Sequence, residues 1–195
     1  SADRALEVGY VGGIRQTVEA KHRPLGELVD LDLPEKPVVL ATGGARGITA
    51  RSLLGLAQKF PMTVVMCGRS EMPTDAEMGT SLSLDRAQLR GELIQDMGKE
   101  TTPAEIERRC NQILRQREMR ATVTELEKAG CSVEYVAIDV RDSAIFEKLI
   151  EKVYATHGRI DGVLHGAGVI EDMRIEQKEV DSFQRVFETK VNPAR

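Results

Sequence analysis

A glycine-rich loop between a short apolar run and a helix-like segment limits the possible folds more strongly than any other stretch of the chain. The segment VVLATGGARGITA covers residues 38–50. Its first five residues are apolar or β-branched, which suits a central strand of a parallel sheet. A loop between a strand and a helix directs the first backbone N–H groups of that helix toward any bound phosphate. The loop is therefore either a phosphate cradle or a plain strand-to-helix turn.

Strand-like and helix-like patterns alternate along the rest of the chain. The predicted strands cover residues 37–42, 62–68, 131–140 and 161–168. Helical periodicity covers residues 48–60, with Ile48 on the predicted buried face, and it resumes after a cap at Asp142 or Ser143. This alternation predicts right-handed crossovers between parallel strands. We therefore expect an α/β fold of the Rossmann type, a doubly wound parallel sheet of which this chain holds a part.

The stretch between the second and third predicted strands is far longer than one crossover helix requires. Two helical patterns, over 83–98 and 102–130, predict a helical insertion at about 83–130. Thr102 and Glu105 form a predicted capping box at the start of the second helix, and Gly130 suits its end. The insertion provides either additional packing surface or a docking surface for a partner or substrate.

The first 37 residues differ from the rest of the chain. We predict that residues 1–37 are a lead-in and linker from a preceding region, with a short helix around 13–22 followed by a proline-containing linker. The core domain is expected to cover residues 38–195.

Composition excludes several functional classes. The net charge is -4, and aromatic residues make up 4% of the chain with no Trp, which argues against a nucleic-acid partner. No apolar run approaches the roughly 18 residues of a membrane span. The three cysteines, Cys67, Cys110 and Cys131, lie among apolar residues and are far apart. We expect buried thiols in a reducing, cytoplasmic compartment, with no disulfide and no metal site.

Residues around the glycine loop predict the parts of a dinucleotide site. Arg69 ends the second strand, where a guanidinium can bind a ribose 2′-phosphate, and Arg46 in the loop can add a second cation. The alternative for each arginine is a solvated surface charge. Asp139 ends the third strand, as an acceptor for the adenine amino group or as a turn residue. The predicted cofactor-binding residues are Thr42, Gly43, Ala45, Arg46, Gly47, Ile48, Gly68, Arg69, Ser70, Asp139, Val140, His165, Ala167 and Gly168. Arg69 and Arg46 together favour NADPH over NADH.

These motifs together carry a resemblance to a known family. The pattern T-G-x-x-x-G, followed by G-R-S, D-V and H-x-A-G, resembles the short-chain dehydrogenase/reductase superfamily. VLATGGARGIT, MCGRS, AIDVRD, GRIDGVLHGAGVIEDMRI and FETKV are similar to ketoreductase domains of polyketide synthases. The long insertion makes the chain most similar to those of polyunsaturated-fatty-acid synthases and related megasynthases. One departure is Thr49, at a position where many relatives have a third glycine.

The resemblance implies an enzyme that uses NADPH to reduce a β-ketoacyl thioester on an acyl carrier protein, working with other megasynthase domains. It also implies a catalytic Lys, and Lys190 matches the position of that residue. Lys190 is predicted to share one helix face with Phe183 and Phe187. A lysine at a helix end also complements the helix dipole. The family's Ser, Tyr and Asn have no match here, so we expect either the first half of a larger reductase domain or a fragment completed by another chain, with exposed apolar edges. A non-catalytic nucleotide-binding scaffold and a free short-chain alcohol dehydrogenase are the alternatives.

Overall fold

The chain forms two structural units that divide after residue 32. The computed structural model describes residues 8–22, 24, 33–74, 84–98 and 101–195. The elements named below lie within these ranges. Most of the predicted proline-containing linker falls outside the described residues.

The N-terminal unit contains an antiparallel hairpin of β1 (Val8–Val11) and β2 (Ile14–Thr17). The helix predicted around 13–22 is therefore wrong. Gly12 and Gly13 both have positive φ angles, 56° and 77°, which a two-residue hairpin turn of type I′ requires at both central positions. The glycine pair and the β-branched residues on either side of it decide the local structure, and every residue of the two strands is exposed.

The larger unit is built on a four-stranded parallel sheet in the order β5-β4-β3-β6. Its strands are β3 (Val38–Thr42), β4 (Thr63–Gly68), β5 (Ser132–Ala137) and β6 (Gly162–His165). All five residues of β3 are buried, as its apolar sequence predicts. The chain leaves β3 in one direction through β4 and β5 and returns to its other side at β6. This reversal confirms the doubly wound, Rossmann-type topology and creates a switch point beside β3.

Helices cover both faces of the sheet. On one face, α1 (Gly47–Ala57) and α3 (Pro103–Lys128) pack against alternate strand residues such as Ala41 and Met66. On the other face, α4 (Ser143–His157) packs against the intervening residues, including Leu40. Side chains of successive strand residues point to opposite faces, so each strand contributes to both cores. Asp142 caps α4 by accepting a hydrogen bond from the backbone N–H of Ile145.

The predicted helical insertion is present as α2 (Arg86–Met97) and the N-terminal half of α3. Both helices begin with capping boxes, at Asp85 and, as predicted, at Thr102. A small separate core joins the two helices, formed by Leu89, Leu93, Ile106, Cys110 and Ile113. The C-terminal half of α3 packs on the sheet instead, through Met119 and Leu126. One long helix thus connects the insertion rigidly to the sheet.

The last part of the chain exposes several large apolar side chains. It contains β6, a 3-10 turn at Ile175–Gln177, α5 (Val180–Val191) and a second turn at Asn192–Ala194. Strand β6 is an edge strand of this sheet, and its Val163 is 60% exposed. Phe183 and Phe187 stack with ring centroids 5.9 Å apart, yet both are largely exposed. The prediction of exposed apolar edges is confirmed for these residues.

The three cysteine side chains are free and buried, which confirms that part of the prediction. Burial raises the pKa of Cys67 to about 12. Within the described ranges, no helix is both long and apolar enough to cross a membrane.

Candidate functional site

The glycine loop has the backbone conformation that its sequence predicts. Gly43 and Gly47 have φ angles of 66° and 63°, in the left-handed region that side chains disfavour. The backbone of Gly166 and Ala167 lies so close to Gly43 that a Cβ atom there would approach it to 3.0 Å. At Gly47, in contrast, a Cβ atom would meet nothing within 4 Å. The first residue of α1 therefore presents its backbone to an open space.

That open space is a cleft of about 580 Å³ at the carboxyl ends of the strands. Predicted cofactor residues that line it are Gly43, Ala45, Arg46, Gly47, Ile48, Gly68, Arg69, Ser70, Asp139, Val140, Ala167 and Gly168. They come from four separate segments of the sequence, and the sheet brings them together. Ile48 is not on a buried helix face as predicted, because it is 85% exposed and faces the cleft.

Two predicted cofactor residues, Thr42 and His165, lie outside the cleft lining. The Thr42 hydroxyl accepts a hydrogen bond from the backbone N–H of Ala167 (3.1 Å) and lies 2.7 Å from Nδ1 of His165. Nε2 of His165 lies 3.0 Å from the carbonyl oxygen of Lys190. A carbonyl can only accept, so Nε2 carries a proton, and in the neutral imidazole Nδ1 then accepts from the Thr42 hydroxyl. This chain of hydrogen bonds joins β3, the segment after β6 and the end of α5.

The side chain of Lys190 reaches the same corner of the site. A Cβ atom built on Gly168 would lie 3.5 Å from Cε and 3.8 Å from Nζ of Lys190. Gly168 also lines the cleft. The ammonium group therefore lies beside the last glycine of the H-G-A-G segment, with its own backbone held by His165.

Hydrogen bonds fix the acidic and phenolic groups of the cleft. Both carboxylate oxygens of Asp139 accept hydrogen bonds from Arg141, at 2.6–3.2 Å, which holds the pKa of Asp139 below its ordinary value. The hydroxyl of Tyr135 donates to the carbonyl oxygen of Ser70 at 2.6 Å, and burial raises the pKa of Tyr135 to about 12. The segment after β4 is thereby held in place against β5.

The insertion helix contributes residues that sequence reasoning missed. Arg115, Glu118 and Met119 of α3 line the cleft, opposite the glycine loop. Oε1 of Glu118 accepts a hydrogen bond from the backbone N–H of Gly47 at 2.9 Å. The helical spacing of these three α3 residues from the buried Thr122 and Leu126 is the signal that could have placed them on the sheet-facing side of α3. Nothing in the sequence gives the position of that helix relative to the loop.

The described residues contain no group of three or more His, Cys, Asp or Glu side chains arranged to hold a metal ion.

Comparison with known proteins identifies the family. A family model described as "KR domain" matches residues 37–195. One subunit of the polyunsaturated fatty acid synthase of Thraustochytrium sp. is 29% identical over 164 residues, which cover 79% of this chain and 6% of that protein. A polyketide synthase of Bacillus subtilis is 33% identical over 75 residues, covering 38% of this chain and 2% of that protein. The chain thus spans a small part of the length of these relatives.

A solved structure with a similar fold is a ketoreductase domain from the bacillaene assembly line. It has a TM-score of 0.60 and 21% identity, and the match covers 96% of this chain and 34% of that one. A short-chain dehydrogenase from Mycobacterium paratuberculosis bound to NAD has a TM-score of 0.51 and 18% identity, covering 80% and 46%. Because the family model spans the whole parallel sheet, the chain belongs to the KR-domain family, and it is similar to parts of a polyunsaturated-fatty-acid synthase and of polyketide synthases.

Proposed function

We propose that this chain is the cofactor-binding part of a ketoreductase that uses NADPH to reduce a β-ketoacyl thioester held on an acyl carrier protein. The observation that supports it best is the convergence of the glycine loop, Arg69 and Gly168 on one cleft, with Lys190 beside Gly168. The cleft lies at the switch point of a doubly wound sheet, where such folds bind their ligands.

Each part of NADPH has residues of suitable chemistry in the cleft. The N–H groups of Ala45 to Ile48 suit the pyrophosphate, because they lie at the start of helix α1, whereas the N–H of Gly43 donates to the carbonyl oxygen of Cys67 at 2.7 Å. Arg69, Ser70 and Arg46 suit the 2′-phosphate, and Asp139 with Val140 suits the adenine. Ala167 and Gly168 leave room for the nicotinamide ribose beside Lys190. When bound, NADPH supplies the hydride for carbonyl reduction.

The chain's own contribution to proton transfer is assigned to Lys190. Its ammonium can hold a proton close to the ribose end of the site, and the hydrogen bond from His165 to its carbonyl fixes the helix end from which it projects. The two tyrosines of the larger unit have other surroundings. Tyr135 is bonded to Ser70, and Tyr154 is exposed on α4.

The positions of the tyrosines also favour a second candidate function, a nucleotide-binding domain without its own turnover. Both candidates require the same cleft, but only the first requires consumption of NADPH. They therefore differ in the chemical step and agree on binding.

Two measurements test the leading proposal. Titration with NADPH and NADH, followed by nicotinamide fluorescence, is expected to give at least about tenfold tighter binding of NADPH, since charge-assisted hydrogen bonds contribute about 1.5–3 kcal/mol. Arg69→Ala is expected to remove that preference. Equal affinities for the two dinucleotides, or an unchanged preference in the variant, would contradict the NADPH assignment.

The second measurement is consumption of NADPH in the presence of a β-ketoacyl thioester, presented free and on a carrier protein. In a complete ketoreductase domain that contains this chain, we expect turnover that Lys190→Ala abolishes while NADPH binding persists. Tight NADPH binding without turnover of either substrate would favour the non-catalytic candidate.

A further inference from the structure

We propose that Arg115 of the insertion helix α3 is a ligand of the phosphate on the adenosine ribose. The insertion would then form one wall of the cofactor site and take part in the choice between NADPH and NADH. This inference rests on the proposed function and goes beyond it, because it assigns a cofactor-selecting role to the insertion.

The position of Arg115 is the first argument. A second cleft, of about 530 Å³, lies between the segment that follows β4 and one side of α3. Its lining is Ser70, Glu71, Arg108, Asn111, Gln112, Arg115, Gln116 and Met119. Arg108, Gln112, Arg115 and Met119 follow one another at steps of four, three and four, which is one stripe of a helix. Ser70, Arg115 and Met119 line both clefts, so Arg115 stands where the two spaces meet.

That meeting point is the end of β4, where the adenosine ribose is expected. Arg69 and Ser70 approach it from the sheet, and Arg115 approaches it from the insertion. A phosphate at this point would therefore lie between cations on two different elements. A planar guanidinium can donate two parallel hydrogen bonds to a phosphate, which suits Arg better than Lys for such contacts.

Charge is the second argument. In the part of the chain that the structure describes, Arg46, Arg69 and Arg115 make no ion pair and no side-chain hydrogen bond. Other arginines are paired with carboxylates, namely Arg86, Arg141, Arg159 and Arg185. The cleft carboxylate Asp139 is bonded to Arg141, and Glu118 is bonded to Gly47. Three guanidinium groups around one cleft thus remain available to an anion. A phosphate monoester suits them because it carries a charge of about -1.5 to -2.

The rigidity of α3 is the third argument. Arg115 lies one turn before Met119, which is buried against the sheet, and two turns after Arg108. The helix is anchored at its far end by Leu126, and its start is capped by Thr102. The backbone of Arg115 is therefore held in place before any ligand arrives, which reduces the ordering cost of binding.

The experiment compares the 195-residue chain with Arg115→Ala and with Arg90→Ala as a matched control. Arg90 is an exposed arginine on α2 that lines neither cleft, so its variant has the same change in net charge. Each protein is titrated with NADPH and NADH by fluorescence, and with adenosine 2′,5′-bisphosphate and AMP by calorimetry. We expect Arg115→Ala to weaken binding of NADPH and the bisphosphate by about tenfold or more, with NADH and AMP unchanged within about twofold.

The outcomes separate this inference from the proposed function. NADPH binding that Arg115→Ala leaves unchanged, or weakens no more than NADH binding, overturns the role of Arg115 alone. A loss of NADPH affinity that Arg90→Ala reproduces also overturns it, because the effect is then one of net charge. If the chain with Arg115 intact binds neither NADPH nor the bisphosphate, the proposed function is overturned and this inference with it.

Discussion

Thr49 and Gly166 share one small volume where α1 passes the end of β6. A Cβ atom built on Gly166 would lie 1.9 Å from Oγ1 of Thr49 and 2.9 Å from its Cβ. Many relatives are expected to have a glycine at position 49. In this chain the threonine is accommodated because residue 166 has no side chain. The missing third glycine of the loop is therefore compensated from a different element, and the departure leaves the cleft intact.

The close packing of the Thr49 side chain against Gly166 predicts the outcome of a double-mutant cycle at these two positions. Gly166→Ala should destabilise the fold by about 1–3 kcal/mol, because the added methyl group overlaps with Thr49. Combining it with Thr49→Gly should recover part of that loss, which denaturant unfolding of the four proteins would measure. Gly55→Ala is the control, since a Cβ atom on that exposed α1 residue meets nothing within 4 Å. Strictly additive single and double variants would contradict the explanation.

Glu118 places a carboxylate on a backbone N–H group that also suits a pyrophosphate. Its Oε1 accepts from Gly47 at 2.9 Å, at the first residue of α1. Two anions at one helix N-terminus repel each other, so the carboxylate must leave when the dinucleotide binds.

We therefore predict that Glu118→Gln binds NADPH several-fold more tightly than the unaltered chain, because the competing charge is removed while the side-chain size is kept. Glu125→Gln, on an exposed part of the same helix, should have no such effect. Fluorescence titration provides both dissociation constants. Weaker binding in Glu118→Gln would show that the carboxylate supports the site rather than competing for it.

At the scale of elements, one ion pair connects the segment after β6 with α5. Nε and Nη2 of Arg185 donate to the two carboxylate oxygens of Glu171 at 3.0 and 2.8 Å. The Arg185 guanidinium lowers the pKa of Glu171 from an ordinary value of 4.5 to about 2. Because α5 holds Lys190, this pair helps to fix the corner of the site that Lys190 occupies.

The lowered pKa predicts a pH dependence for this contact. A carboxyl group whose pKa falls on folding stabilises the fold fully above its unfolded pKa and loses that contribution as the pH falls through its folded pKa. The stability difference between the unaltered chain and Glu171→Gln should thus be constant above about pH 5 and shrink between about pH 4.5 and 2. Urea unfolding at a series of pH values measures it. A difference that does not change over the acid range would contradict the pairing.

Most elements could be predicted because their signals are local. Capping residues such as Thr102 and Asp142, and apolar periodicity, define the helices from short stretches of sequence. The N-terminal hairpin was not predicted, because its short Gly12-Gly13 turn competes with a helical pattern over the following residues. The contact between Glu118 and Gly47 could not be predicted, since it depends on where a helix lies relative to a loop 71 positions away in the chain.

At the scale of the whole molecule, strand order is the property on which the site depends. Residues from the ends of β3, β4, β5 and β6 line one cleft only because the order is β5-β4-β3-β6. The motifs singled out twelve residues that line this cleft, because each motif follows a recognisable strand. They did not predict that Thr42 and His165 lie behind the cleft lining, a result of the close approach of Ala167 to Thr42. Side-chain direction at a strand end is set by such tertiary contacts.

If one cleft holds the whole dinucleotide, hydrogen–deuterium exchange with and without saturating NADPH should show it. We expect slower exchange in three separate segments, residues 43–48, 68–70 and 166–168, together with the part of α3 around Arg115. Protection confined to other parts of the chain, or no protection at concentrations that saturate binding, would show that the cleft is not the dinucleotide site.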